Sequence, residues 1–168
     1  MEVHMTKTAA VAHSQSLSEG SKAPDFTMSA SGGATVALSK LKGKNVVLYF
    51  YPKDDTPGCT LEGKDFSALK KQFDAANTEI IGVSRDSVAS HDKFCSKYGY
   101  SITLASDEDG SVCENYGVWV EKSMYGKKYM GIERSTFLID ANGKLARIWR
   151  KVKVEGHADD VLKTAQAL

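Results

Sequence analysis

The segment Asn45-Val46-Val47-Leu48-Tyr49-Phe50-Tyr51 is apolar or aromatic at every position after the asparagine, and Pro52 stops it. A strand with one wet face alternates polar and apolar residues, so a run with no polar position belongs to a strand covered on both faces. Proline ends such a strand because it has no N–H to give the ladder. The run also falls far short of the roughly 20 residues that cross a bilayer. It predicts a buried strand in a layered domain and no membrane span.

Punctuation and period place further elements around that strand. Phe66, Leu69 and Phe73 recur at helical spacing with Lys64, Lys70 and Lys71 on the other side, predicting an amphipathic helix over residues 57–75. Residues 78–83 read as a second apolar strand, 88–98 as a helix, 102–105 as a short strand and 110–116 as a short helix. Residues 134–140 and 144–151 read as strands joined by Ala141-Asn142-Gly143, whose Asn-Gly pair is a hairpin signal. A last helix is expected over 158–167. Ahead of the buried strand, residues 24–28 and 34–38 read as a short hairpin closed around Gly32-Gly33. The expected fold is α/β: a mixed central sheet with a parallel pair early in the chain and an antiparallel edge late, preceded by an N-terminal β-hairpin.

With 168 residues, 42% hydrophobic and 26% charged, the chain suits one soluble domain, expected over residues 19–168. Residues 1–18 read as a flexible tail, in which Met1 to His4 look like a cloning remnant before a start at Met5. No apolar stretch there is long enough for a secretory signal, so export by that route is not expected. A net charge of +1 singles out no polyanionic partner. The basic stretch Arg147-Ile148-Trp149-Arg150-Lys151-Val152-Lys153 reads as a solvated strand edge rather than a nucleic-acid surface. The 3 cysteines, an odd number, make no disulfide scaffold and suit reactive thiols in a reducing cytoplasm.

The most informative stretch is Tyr51-Pro52-Lys53-Asp54-Asp55-Thr56-Pro57-Gly58-Cys59-Thr60, between the buried strand and the amphipathic helix. Connections at strand carboxyl ends are where α/β folds place their sites. Thr56 suits an N-cap and Pro57 the first helical position, which puts Cys59 third. A sulfur there lies among unpaired N–H groups at the positive end of the helix, which favours thiolate over thiol. Cys59 is also two helical turns before Phe66, on almost the same azimuth, and should face the core from a pocket. Gly58 and Gly63 suggest a first turn that opens easily.

The spacing Pro52, Thr56, Cys59 resembles the peroxiredoxin signature Pro-x-x-x-Thr-x-x-Cys. The runs Phe50-Tyr51-Pro52-Lys53-Asp54 and Thr56-Pro57-Gly58-Cys59-Thr60, with Glu62 beyond, and Glu133-Arg134-Ser135-Thr136-Phe137 are similar to the bacterioferritin-comigratory, or Q-type, subfamily. The resemblance covers the chain from about Gly20 onward. It implies a thioredoxin-like three-layer sandwich and a thiol-dependent peroxidase that needs no cofactor or metal. Cys59 would be the nucleophile that reduces hydrogen peroxide or organic hydroperoxides. Thr56 would bond the reacting oxygens, Pro52 would shield the sulfur from water, and Arg134 would favour both the thiolate and the developing charge. Taken singly, Thr56 would be only a cap, Pro52 a strand terminator, Arg134 a strand-edge charge and Cys59 an inert packed thiol; together they read as a site. The role of Glu62 stays open.

Turnover needs a thiol to resolve the sulfenic acid on Cys59. Some members of the subfamily place it five residues after the nucleophile, where this chain has Lys64, which leaves Cys95, Cys113 or an external thiol. Cys95 matches the other arrangement in the subfamily, with the resolving cysteine on the following helix. The resemblance further implies thioredoxin, or glutaredoxin, as reductant and a monomer. A disulfide needs Cα atoms about 4.4–6.8 Å apart, so helix unwinding is expected to accompany it. Cys113 reads as a packing residue. A thioredoxin-type dithiol enzyme would need a second cysteine near Cys59, which is alone in residues 53–62. A zinc module would have to recruit His91, Cys95, Cys59 and Cys113 without a Cys-x-x-Cys pair. A non-enzymatic thiol redox sensor on the same scaffold is the alternative reading. Tyr51, Tyr125, Met130 and Trp149 are candidates for shaping the pocket.

Overall fold

The computed structural model describes residues 17–168. The tail expected over residues 1–18 lies outside them as far as residue 16. Leu17 already packs on the core, and the Gly20 amide donates to the Leu145 carbonyl at 2.7 Å.

In chain order the strands are β1 (Thr27–Ala30), β2 (Thr35–Ala37), β3 (Asn45–Phe50), β4 (Thr78–Ser84), β5 (Thr103–Ser106), β6 (Trp119–Met124), β7 (Lys127–Ile132), β8 (Ser135–Ile139) and β9 (Leu145–Trp149). The helices are α1 (Pro57–Ala68), α2 (Lys70–Ala75), α3 (Val88–Tyr98), α4 (Ser111–Asn115) and α5 (His157–Gln166). A mixed 7-stranded sheet runs β2-β1-β5-β4-β3-β8-β9, and β6-β7 form a separate 2-stranded ribbon.

β3 is buried along its whole length, with parallel β4 on one side and antiparallel β8 on the other. Because successive side chains point to opposite faces, Val46, Leu48 and Phe50 enter one core and Val47, Tyr49 and Tyr51 the other. The first core takes Phe137, Tyr116 and, from α4, Cys113. The second takes Cys59 and Phe66 from α1, Phe73 from α2, Phe94 from α3 and Val161 from α5. These layers are the thioredoxin-like sandwich.

Three features depart from the expectations. β1 and β2 pair with each other, but β1 also pairs with β5, so these strands form an edge of the main sheet rather than a unit ahead of it. The single helix expected over 57–75 breaks at Leu69, whose amide bonds the Phe66 carbonyl at 3.1 Å in a tightened turn. In an unbroken helix residues 66 and 73 lie about 10 Å apart along the axis; across the break the rings of Phe66 and Phe73 meet at 5.9 Å. Third, the β6-β7 ribbon was not expected. Its turn holds Tyr125 at φ 53 and Gly126 at φ 78, the pair of positive φ values that a tight hairpin demands.

Candidate active site

β3 delivers the chain into the loop before α1: the Tyr51 amide donates to the Val83 carbonyl at 3.0 Å, and Pro52 leaves the sheet. Thr56 takes the extended N-cap conformation and Pro57 opens α1, so Cys59 is the third helical residue and is 2% exposed. The Thr56 hydroxyl does not cap the helix. It turns back and donates to the Lys53 carbonyl at 2.9 Å, which closes the loop on itself.

Arg134 lies just before β8, not within the strand, and reaches across to α1. Its Nη2 donates to Cys59 Sγ at 3.4 Å and its Nη1 to Glu62 Oε1 at 2.6 Å. Gly58 makes room for this: a Cβ there would stand 3.2 Å from Arg134 Nη2. Burial disfavours the guanidinium charge, but Glu62 and Cys59 more than restore it and hold its pKa above the usual value. Glu62 is 1% exposed, and its Oε2 has no hydrogen-bond partner among the described residues. Burial pushes its carboxyl up to about 7, against the pull of Arg134. The sulfur thus sits against a permanent cation whose other branch is tied to a buried carboxyl. The spacing in sequence gave Glu62 no role; this contact gives it one.

Pro52 is exposed. It stands on the rim of a groove of about 520 Å³ with Trp119, Lys122, Tyr129, Met130 and Ile132. Lys122, on the ribbon that sequence reading missed, lies close enough to feel both Arg134 and Cys59. Burial and Arg134 lower its pKa, and Cys59 opposes them. Of the residues expected to shape the pocket, Met130 lines this groove. Tyr51 is buried with its hydroxyl on Asp54 at 2.6 Å, and Trp149 lies elsewhere, bonded to Asp160 at 2.9 Å. Tyr125, at the ribbon's tip, is 98% exposed.

All of the cysteines are free thiols. Cys95, half-buried on α3, packs in the same core as Cys59. Burial raises its pKa, with smaller pushes from Asp54 and Asp92 and relief from a hydrogen bond with Ser31. Tyr98 and Tyr100 pack in the same core as both thiols. The Tyr100 hydroxyl donates to the Thr60 carbonyl at 2.7 Å, and its ring occupies the space a Cβ on Gly63 would need, 2.5 Å away. Gly63 therefore admits the Tyr100 ring against the first turns of α1. Tyr98 and Lys97 clasp the Asp55 carboxylate at 2.6 and 2.8 Å. Cys113 is fully buried in the other core, and burial with Asp107 drives its thiol well above the usual range. His91 is engaged at both ring nitrogens, with Asp54 and the Ala105 carbonyl.

Residues 20–148 match the AhpC/TSA family. Peroxiredoxin Bcp of Xanthomonas campestris pv. campestris is 54% identical over 143 residues, which cover 85% of this chain and 89% of that protein. Peroxiredoxin Bcp of Bacillus subtilis is 50% identical over 145 residues, covering 86% and 92%. Among solved structures, the bacterioferritin comigratory protein of X. campestris superposes with a TM-score of 0.81 at 52% identity, over 84% of this chain and 90% of that one. That structure was described for its alkyl peroxide reduction activity, with trapped intermediate and ligand complexes.

Proposed function

The chain belongs to the AhpC/TSA family and is a peroxiredoxin of the Bcp, or Q, type, a thiol peroxidase; on that premise we propose that Cys59 is its peroxidatic sulfur and Cys95 its resolving thiol. The observation that carries this reading is the 3.4 Å contact from Arg134 Nη2 to Cys59 Sγ at a helix start. A guanidinium keeps its charge at any working pH, so it favours the thiolate at rest and the charge that spreads onto the peroxide oxygens in the transition state.

The thiolate attacks the terminal oxygen of a hydroperoxide. The S–O bond forms as the O–O bond breaks, sulfur is oxidised to sulfenic acid, and the departing alkoxide or hydroxide takes up a proton. With its proton committed to Lys53, the Thr56 hydroxyl is oriented to accept from the peroxide O–H. Organic hydroperoxides are substrates alongside hydrogen peroxide, in line with the alkyl peroxide activity described for the X. campestris protein. The Cys95 thiol then attacks the Cys59 sulfenic acid, expelling water and forming an intramolecular disulfide, which thioredoxin or a similar dithiol reduces. Pairing within one chain needs no second subunit, consistent with a monomer, and the cycle suits a reducing cytoplasm. Cys113 serves packing.

The test is peptide mass analysis after one equivalent of peroxide, with thioredoxin-supported turnover in Cys95→Ser and Cys113→Ser. A Cys59–Cys95 disulfide and loss of cycling only in Cys95→Ser are expected. Undiminished cycling in Cys95→Ser would remove Cys95 from the mechanism.

A further inference from the structure

His91 is completely buried in α3, and each ring nitrogen faces an acceptor: Nδ1 lies 2.8 Å from Asp54 Oδ2 and Nε2 2.9 Å from the Ala105 carbonyl oxygen. A carbonyl oxygen only accepts, so Nε2 carries a proton. Between Nδ1 and Oδ2 a second proton is required, whichever atom holds it. Without it, two lone pairs face each other at 2.8 Å, too close for anything to stand between them. The remaining bonds to Asp54 are donations from the Tyr51 hydroxyl to Oδ1 at 2.6 Å and from the Ser90 hydroxyl to Oδ2 at 2.7 Å.

This cluster joins the two parts of the proposed cycle. Asp54 lies in the loop that leads into Cys59, and its amide is fixed by Asp86 Oδ2 at 2.8 Å. His91 lies one helical turn before Cys95. The groups facing the pair are Tyr51 from the end of β3, whose hydroxyl is 3.4 Å from Nδ1, Asp86 from the turn after β4, and the uncharged Ala105 carbonyl of β5. On α3 itself, Asp92 is occupied by the Gly32 amide at 2.8 Å, and Cys95 is the other titratable neighbour.

We propose that His91 is a positioning residue for disulfide formation: with Asp54 it forms a proton-held latch that keeps α3 docked, and losing the proton frees α3 to bring Cys95 to Cys59. The second half rests on the assignment of Cys95 as the resolving thiol. Once α3 is released, the Cys95 sulfur attacks the Cys59 sulfenic acid, the S–S bond forms as the S–O bond breaks, and water carries away the hydroxyl. No further oxidant enters.

The test is native-state hydrogen exchange of residues 88–98 at pH 6 and pH 9, corrected for intrinsic rates, in full-length reduced protein. A Cys95→Ser background removes the thiol as a second titrating group in the helix. The opening constant of α3 should rise about tenfold between these pH values, the scale of one charge-assisted hydrogen bond. In His91→Asn, whose amide donates to Asp54 without titrating, the rise should vanish. Ser90→Ala, a milder change that removes one donor to Asp54, should raise opening at both pH values and keep the rise. No rise with pH in the background protein overturns the latch, as does a rise that persists in His91→Asn; should that variant not fold, Ser90→Ala with unchanged opening overturns it instead. Peroxide-treated protein with Cys95 intact separates the two readings: absence of a Cys59–Cys95 disulfide refutes the resolving assignment, while the exchange result decides the latch by itself.

Discussion

Replacing Glu62 by glutamine tests whether the carboxyl beneath Arg134 is as constrained as its burial implies. The side chain is 1% exposed, and burial lifts its pKa from 4.5 to about 7 even with Arg134 beside it. The folded protein therefore binds this proton more tightly than the unfolded chain. The stabilisation is fully present below about pH 4.5 and is lost as the pH rises through about 7. Between pH 5 and pH 8 the linkage amounts to about 2.5 kcal/mol, at 1.36 kcal/mol per unit of pKa. Glutamine keeps the shape and an oxygen for Arg134 Nη1 but has no proton to lose. Urea unfolding from pH 5 to pH 8, with a Cys59→Ser background to remove the thiol whose charge also acts on Arg134, should show the Glu62 protein losing about 2.5 kcal/mol more than Glu62→Gln. His157, which burial pushes down to about 4, is common to both proteins and cancels in the difference. Parallel curves would refute the reasoning, because they would mean that water reaches the carboxyl or that Arg134 compensates its burial in full.

Gly63→Ala places a methyl 2.5 Å from the Tyr100 ring; the ring must leave, at a cost of about 1–3 kcal/mol in unfolding free energy measured with urea. Gly58→Ala meets the Arg134 guanidinium at 3.2 Å and should slow the second-order oxidation of Cys59 several-fold, with little change in thermal midpoint, as read by stopped-flow peroxide consumption. Cys113→Ser should retain thioredoxin-supported turnover but lose about 1–3 kcal/mol of stability, because a hydroxyl replaces a fully buried thiol.

Where the chemistry follows from local order, the sequence was legible. The unbroken apolar run gave β3, the Asn-Gly pair gave the β8-β9 turn, and Thr56-Pro57 placed the start of α1 so that Cys59 falls third and inward. Arg134 stands 75 residues from Cys59, and no periodicity reaches that far; its part in the site came from resemblance to a known family. The contacts of Asp54 with His91 and of Tyr100 with Thr60 span 37 and 40 residues and leave no local pattern either. The Tyr100 ring beside Gly63 was not legible because a glycine in a helix looks the same in sequence whether it loosens the backbone or admits a ring. The β6-β7 ribbon escaped because its strands are largely exposed and carry no buried alternation. Lys122 escaped with it.

β3 sends neighbouring side chains into separate cores, with Cys59 and Cys95 on one side of the sheet and Cys113 on the other. A continuous hydrogen-bonded sheet has no opening through which a sulfur can pass, and layers packed on it sit about 10 Å from its plane. It is therefore a partition as well as a scaffold. Local fraying of α1 or α3 leaves the sheet intact, so Cys59 and Cys95 stay apart from the third cysteine without any device dedicated to that task. Pairing of either with Cys113 inside one molecule requires breaching the sheet itself.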